Sequence, residues 1–213
     1  MKYFCGLIYI LCVLPVTAMS PPPDFLNKTI DELLMMQDST NADTRENATT
    51  AIAWHLGQDK ASDEKAATND ASLVATIALK AFELLKTDKI LQVRLASINL
   101  LGQLDYDDWT NTIEMIGYAL ADKNSLVQIR AIDWLNMTTH KHHEKMPSEA
   151  INTLLECLKA TADPETLWQA ALVAGQIGKD AAPTIPILEK LLHHPNKKVR
   201  EYAIEALQKL RTT

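Results

Sequence analysis

Val93-Arg94-Leu95-Ala96-Ser97-Ile98-Asn99-Leu100-Leu101-Gly102-Gln103-Leu104 returns near the C-terminus as Val199-Arg200-Glu201-Tyr202-Ala203-Ile204-Glu205-Ala206-Leu207-Gln208-Lys209-Leu210. A weaker copy starts at Val127-Gln128 and runs through Ala131, Trp134 and Leu135, and degenerate copies lie over Thr44 to His55 and Thr166 to Ile177. Aligning Arg45, Arg94, Gln128, Leu167 and Arg200 gives steps of 49, 34, 39 and 33 residues. Self-similarity at such periods marks a stack of like units, each too small to bury its apolar face alone.

Each aligned segment is preceded by a stretch whose apolar residues recur three and four apart, the spacing of one face of a helix. Examples are Leu73/Ile77/Phe82/Leu85, Ile113/Ile116/Leu120, Ile151/Leu154/Leu155/Leu158 and Ile185/Leu188/Leu191/Leu192, with Ile30/Leu33/Leu34 as the shortest. Turn formers stand at the joints: Asp38-Ser39-Thr40-Asn41, Thr87-Asp88, Asp122-Lys123-Asn124, Asp163-Pro164 and His194-Pro195-Asn196. No stretch alternates as a strand would. The expected fold is therefore all-α, a solenoid of about five antiparallel helix pairs.

The last unit, Gly178 to Leu210, carries a proline-bearing first helix, Ala181-Ala182-Pro183-Thr184-Ile185-Pro186-Ile187-Leu188-Glu189-Lys190-Leu191-Leu192. Its second helix opens on Asn196-Lys197-Lys198-Val199-Arg200. In both features the chain resembles HEAT-repeat proteins, and among them the short bacterial HEAT-like repeats, from about Asp24 to Thr213. The resemblance implies a right-handed superhelix with the second helices on its concave side. It also implies that the arginines of the Arg45, Arg94 and Arg200 column pair with acids at the inter-helix turns, for which Asp43, Asp88 and Asp122 are candidates. It implies no single activity, since the fold hosts many.

Residues 1–18 differ from the rest: one cation at Lys2, an apolar run from Tyr3 to Val16, then Val16-Thr17-Ala18 in the small-x-small pattern of a cleavage site. They read as a secretory signal peptide, too short to span a bilayer comfortably. Residues 19–26, with Pro21-Pro22-Pro23, read as a linker, and residues 27–213 as the solenoid. Cleavage would remove Cys5 and Cys12, leaving Cys157 alone, so no internal disulfide is expected. It would also leave 20 basic against 27 acidic side chains, a net charge of −7. That balance disfavours nucleic acid and anionic membranes as partners. The expected location is periplasmic or secreted, without membrane insertion after cleavage.

In the last unit Val199, Tyr202, Ala203, Ala206, Leu207 and Leu210 follow helical spacing and are expected in the core. Glu201 and Glu205 then face outward. By register the Glu201 column contains Glu46, Leu95, Ile129 and Trp168, and the Glu205 column contains Thr50, Asn99, Asp133 and Leu172. A stripe charged at its ends and apolar in its middle reads as a binding patch for a protein or peptide, anchored by Trp168. Trp54 and Met137 extend it, whereas Trp134 stands in the Ala206 column and reads as filling between units.

Nothing in the chain has the spacing of a phosphate loop or a nucleophile elbow, so neither catalysis nor a cofactor is expected. Cys157, between Leu154 and Leu158, reads as a core thiol. His140, His142, His143 and Glu144 form the densest set of metal-capable side chains, with chemistry suited to zinc, copper or nickel. Neighbours in a loop seldom converge on one ion, so the loop reads first as a solvated connector and alternatively as a metal-binding element. His143-Glu144 is the lone His-Glu pair, which sets the chain apart from the HEAT-like hydroxylases that repeat that pair. The polar stretches Gly57 to Asp70 and Thr138 to Lys145 are expected as exposed loop insertions. Asn27-Lys28-Thr29, Asn47-Ala48-Thr49 and Asn136-Met137-Thr138 match glycosylation sequons, a common chance pattern.

Overall fold

The computed structural model describes residues 20–61, 70–104, 109–141 and 148–212. Helices account for nearly all of them, and no strand occurs among the described residues. A single turn, α1 (Pro23–Leu26), lies within the expected linker and packs on α3. Then come α2 (Ile30–Met36) with α3 (Ala42–Ala61), α4 (Ala71–Thr87) with α5 (Leu91–Gln103), α6 (Trp109–Leu120) with α7 (Ser125–Lys141), and α8 (Ser148–Ala160) with α9 (Pro164–Ile177). The fifth pair is α10 (Ile185–Leu191) with α11 (Lys197–Thr212), α10 being entered through a 3-10 helix over Gly178–Thr184 that contains Pro183.

Helix contacts fall into two rows. Each second helix packs on the next one, α3 on α5, α5 on α7, α7 on α9 and α9 on α11, while α4, α6, α8 and α10 form the parallel row. That nearest-neighbour pattern is a solenoid of helix pairs. Two expected loops prove helical in part: α3 continues through Gly57 to Ala61, and α7 through Thr138 to Lys141, where the buried Thr138 hydroxyl donates to the Trp134 carbonyl at 2.6 Å. The remainders of both stretches lie outside the described residues.

The turn before each second helix is built the same way in all five units, which fixes the register. Six residues before the arginine column, a side chain accepts the amide two residues on: Ser39 from Asn41, Asp88 from Ile90, Asp122 from Asn124, Thr161 from Asp163 and His194 from Asn196. Four residues before the column stands the N-cap. Asn41, Asn124, Asp163 and Asn196 each accept amides of the first helical turn, satisfying donors that the helix cannot. The second unit has Ile90 there and no side-chain cap. Leu167 of the fourth unit therefore stands in register with Arg45, Arg94, Gln128 and Arg200.

Arginines of this column bridge units. Arg45 donates from Nε and Nη2 to Asp88 at 2.6 and 3.1 Å, and Arg94 does the same to Asp122 at 2.8 and 3.2 Å. In each the remaining Nη1 donates to carbonyls of its own turn, Ser39 for Arg45, and Asp88 and Lys89 for Arg94. Burial raises the Asp88 carboxyl, but the Arg45 hydrogen bond, the Ile90 amide and the charges of Arg45 and Arg94 outweigh it and hold it below its ordinary value. Asp43, the third expected partner, is exposed on the first turn of α3 and takes no part. Its position is on the column's own helix, and the bridging acid comes from the following unit.

Between second helices the packing is complementary in volume. A Cβ on Gly102 would lie 3.7 Å from the Trp134 ring, in ordinary contact, and one unit pair later a Cβ on Gly175 would lie 2.9 Å from the Ala206 Cα. Large meets absent, and small meets absent more closely. Trp134 is 7% exposed and fills the gap between units, as its register implied. Cys157 is buried in the core, and burial pushes its thiol up to about 11. Val199, Ala203, Ala206, Leu207 and Leu210 are buried, with Tyr202 half-buried.

A methyl at Gly175 gains about 1 kcal/mol of helix propensity but drives two backbones apart, at about 1–3 kcal/mol. At Gly57, where nothing lies within 4 Å, only the gain applies. Gly175→Ala should therefore lower the urea midpoint and Gly57→Ala should raise it, by about 1 kcal/mol in each case.

Candidate functional site

The one-after and five-after positions of the arginine column lie on one strip of each second helix, and the stacking of those helices runs the strips side by side. Leu95 and Asn99 on α5, Ile129 and Asp133 on α7, and Leu172 on α9 are all half-buried there, as are Glu46, Thr50 and Trp54 on α3. Glu201 and Glu205 on α11 are exposed. The difference has a simple cause: the first four units are each partly covered by the next, and the last is not. Met137, four residues beyond Asp133, is 50% exposed and lengthens the apolar part.

Trp168 departs from the expectation. It keeps the register of the column but is 3% exposed, with its ring 4.8 Å from that of Tyr202 and the Lys198 ammonium 3.5 Å above its centroid. Both covering side chains belong to α11. A large flat residue at the rim of a unit is roofed by its successor, and the cation–π contact, on the order of 1 kcal/mol, holds the roof down. Trp168 is thus a wall between the fourth and fifth units and not an open anchor. Its indole N–H makes no hydrogen bond.

Electrostatically the strip is carboxylate-bearing at intervals. Asp133 is pushed up to about 6 by burial, opposed by Arg130, whose Nη1 lies 3.7 Å away. Glu46 is raised by burial and by neighbouring Asp43. Half-desolvated carboxylates set among Leu95, Ile129 and Leu172 favour an approaching hydrogen-bond donor or cation, which would restore what burial removes. Sequence reasoning missed this feature of Asp133, because desolvation depends on what the neighbouring helices cover.

No group of three or more His, Cys, Asp or Glu side chains among the described residues is placed to hold a metal ion. His142, His143 and Glu144 lie outside the described residues, and His140 lies on α7 with its side chain outside them. Among the described residues no helix is long and apolar enough to cross a membrane.

Residues 113–208 match the family model described as HEAT repeats. This stretch is a run of HEAT repeats. The pairs α2–α3 and α4–α5 that precede it repeat the same turn before the second helix. Among solved structures, the crystal structure of an engineered protein from the Northeast Structural Genomics Consortium aligns with a TM-score of 0.55 at 19% identity, covering 85% of this chain and 79% of that one. At that identity it shows a shared fold alone. No curated protein matches the chain. HEAT repeats typically serve as protein-interaction scaffolds and are generally non-catalytic.

The sign of the Asp133 effect on stability follows from its position. Its folded pKa of about 6 exceeds the ordinary value of 3.8, so between those limits the folded state holds more protons and stability falls as pH rises. Asp133→Asn should remove that slope, giving a smaller loss of denaturation midpoint from pH 4 to pH 7 than the parent chain shows.

Proposed function

We propose that this chain is an exported, non-catalytic HEAT-repeat scaffold that binds a protein or peptide along the concave face of a right-handed superhelix formed by its second helices. The observation that carries this reading is the strip on α3, α5, α7 and α9, where Leu95, Ile129 and Leu172 alternate with Asn99 and Asp133 at half exposure. An apolar centre with interspersed polar groups and a polar rim suits recognition of a polypeptide. Trp54 and Met137 extend the contact, and Trp168 supports the wall behind Leu172. Residues 1–18 act as the signal peptide, 19–26 link it to the folded body, and 27–213 form the solenoid. The acidic balance of the chain argues against nucleic acid as the ligand.

A photoreactive aromatic amino acid at position 129, with position 118 on a first helix as control, tests the reading in cells. Tyr118 is 49% exposed, so both sites are open to solvent on different rows. A discrete protein adduct from 129 and none from 118 is the expected result. Equal adducts from both, or none from 129, would remove the strip as the binding surface.

A further inference from the structure

We infer that the strip selects an extended, cationic segment of its partner: a lysine or arginine seated on Asp133, apolar residues over Ile129 and Leu95, and a second cation on Glu46. The inference rests on the strip being the binding surface, as proposed above, and adds the chemistry of what it takes.

Asp133 calls for the first cation. It lies on α7 one turn after Ile129 and one turn before Met137, with 38% of its side chain exposed. Among the described residues no donor hydrogen-bonds its carboxylate. Arg130, three residues back on the same helix, brings its Nη1 to 3.7 Å, too far to donate. Its charge opposes burial without cancelling it, since the carboxyl still rises to about 6. A carboxylate partly stripped of water and given no donor is costly to keep ionised, and an ammonium or guanidinium of a ligand returns the donors that burial removed. The contrast within the chain is direct. Asp88 and Asp122, which serve the fold, each receive an arginine fork and a turn amide.

Glu46 repeats the condition on α3. It is half-buried and raised by burial and by Asp43, and none of the described residues donates to its side chain. Only α5 separates α3 from α7 in the row of second helices. At roughly 8–10 Å per packed pair of helices, the two carboxylates stand roughly 16–20 Å apart. That span is about five or six residues of extended chain at ~3.3 Å each, and Leu95 on α5 lies beneath it. In the first four units the two columns of the strip hold these carboxylates and neither lysine nor arginine. The whole chain carries a net charge of −6, which draws a partner segment of the same positive sign from a distance.

A random peptide library displayed on phage and panned on the full chain tests the inference. Enriched peptides are expected to carry lysine or arginine beside apolar residues, with a second basic residue about five or six places away. Resynthesised with a dye and followed by anisotropy, they should bind Asp133→Asn about tenfold or more weakly than the parent, and Glu46→Gln more weakly too. Replacing the first basic residue by norleucine should cost as much, and little further on Asp133→Asn. Because Asp133 accepts no hydrogen bond from the described residues, the isosteric amide leaves the fold in place. Ile129→Ser, backed by Met137→Ser at an exposed position, reports whether the strip is the surface used. Peptides that weaken with these two changes yet lack a cation, carry an acid in its place or ignore Asp133→Asn would overturn the cationic ligand and leave the strip standing. Peptides indifferent to both apolar changes, or no enrichment, would overturn the strip and this inference together.

Discussion

Everything in this molecule depends on the contact between one second helix and the next. A helix pair of some 33 to 49 residues cannot remove enough apolar surface from water by itself, and the unit becomes stable only when its successor covers the far side. The column of Thr49, Ile98, Ile132 and Ala171 is fully buried in the four units that have a successor. The Arg–Asp bridges stand at the edge of the same contact, and they set the rotation of one unit on the next because a planar fork accepts a carboxylate in one orientation. Asp88, with 4% of its side chain exposed, is deep enough for the geometry to matter.

The bridging is not uniform along the stack. From the third unit the column changes to Gln128 and then to Leu167, and the following turns offer Thr161 and His194 in place of aspartate. Apolar closure replaces ionic closure there: Leu167 is 3% exposed, Gly175 lets α9 meet α11 closely, and Trp168 is sealed under Lys198 and Tyr202. The N-terminal half is thus latched by charge and the C-terminal half by packing. Between them lies α7, which carries Ile129 and Asp133, so the centre of the proposed binding strip sits where the two modes of closure meet.

The fold was legible because the repeat leaves marks that survive divergence. Arg45, Arg94 and Arg200 fixed three units, and the asparagine or aspartate four residues earlier would have fixed the fourth even though Leu167 hides the column. Trp134 was legible for the same reason: it stands in the column of Ala206, which lies between units. Trp168 was not, because register predicts direction within a unit while burial is decided by the bulk of Tyr202 and Lys198 on the following one. Asp43 misled in the opposite way, being near the arginine in sequence yet on the wrong side of it in space. Helix ends were also hidden, since the polar composition of Gly57 to Ala61 and Thr138 to Lys141 is compatible with an exposed helical turn as well as with a loop.

The most direct test of nearest-neighbour stacking is amide hydrogen exchange on Asp88→Ala, a change that leaves Arg45 without its bridge between the first and second units. Local coupling predicts lost protection in α2, α3, α4 and α5, with α9 and α11 keeping theirs. Equal loss of protection across all five pairs would contradict the account, because it would mean that the chain unfolds as one indivisible core.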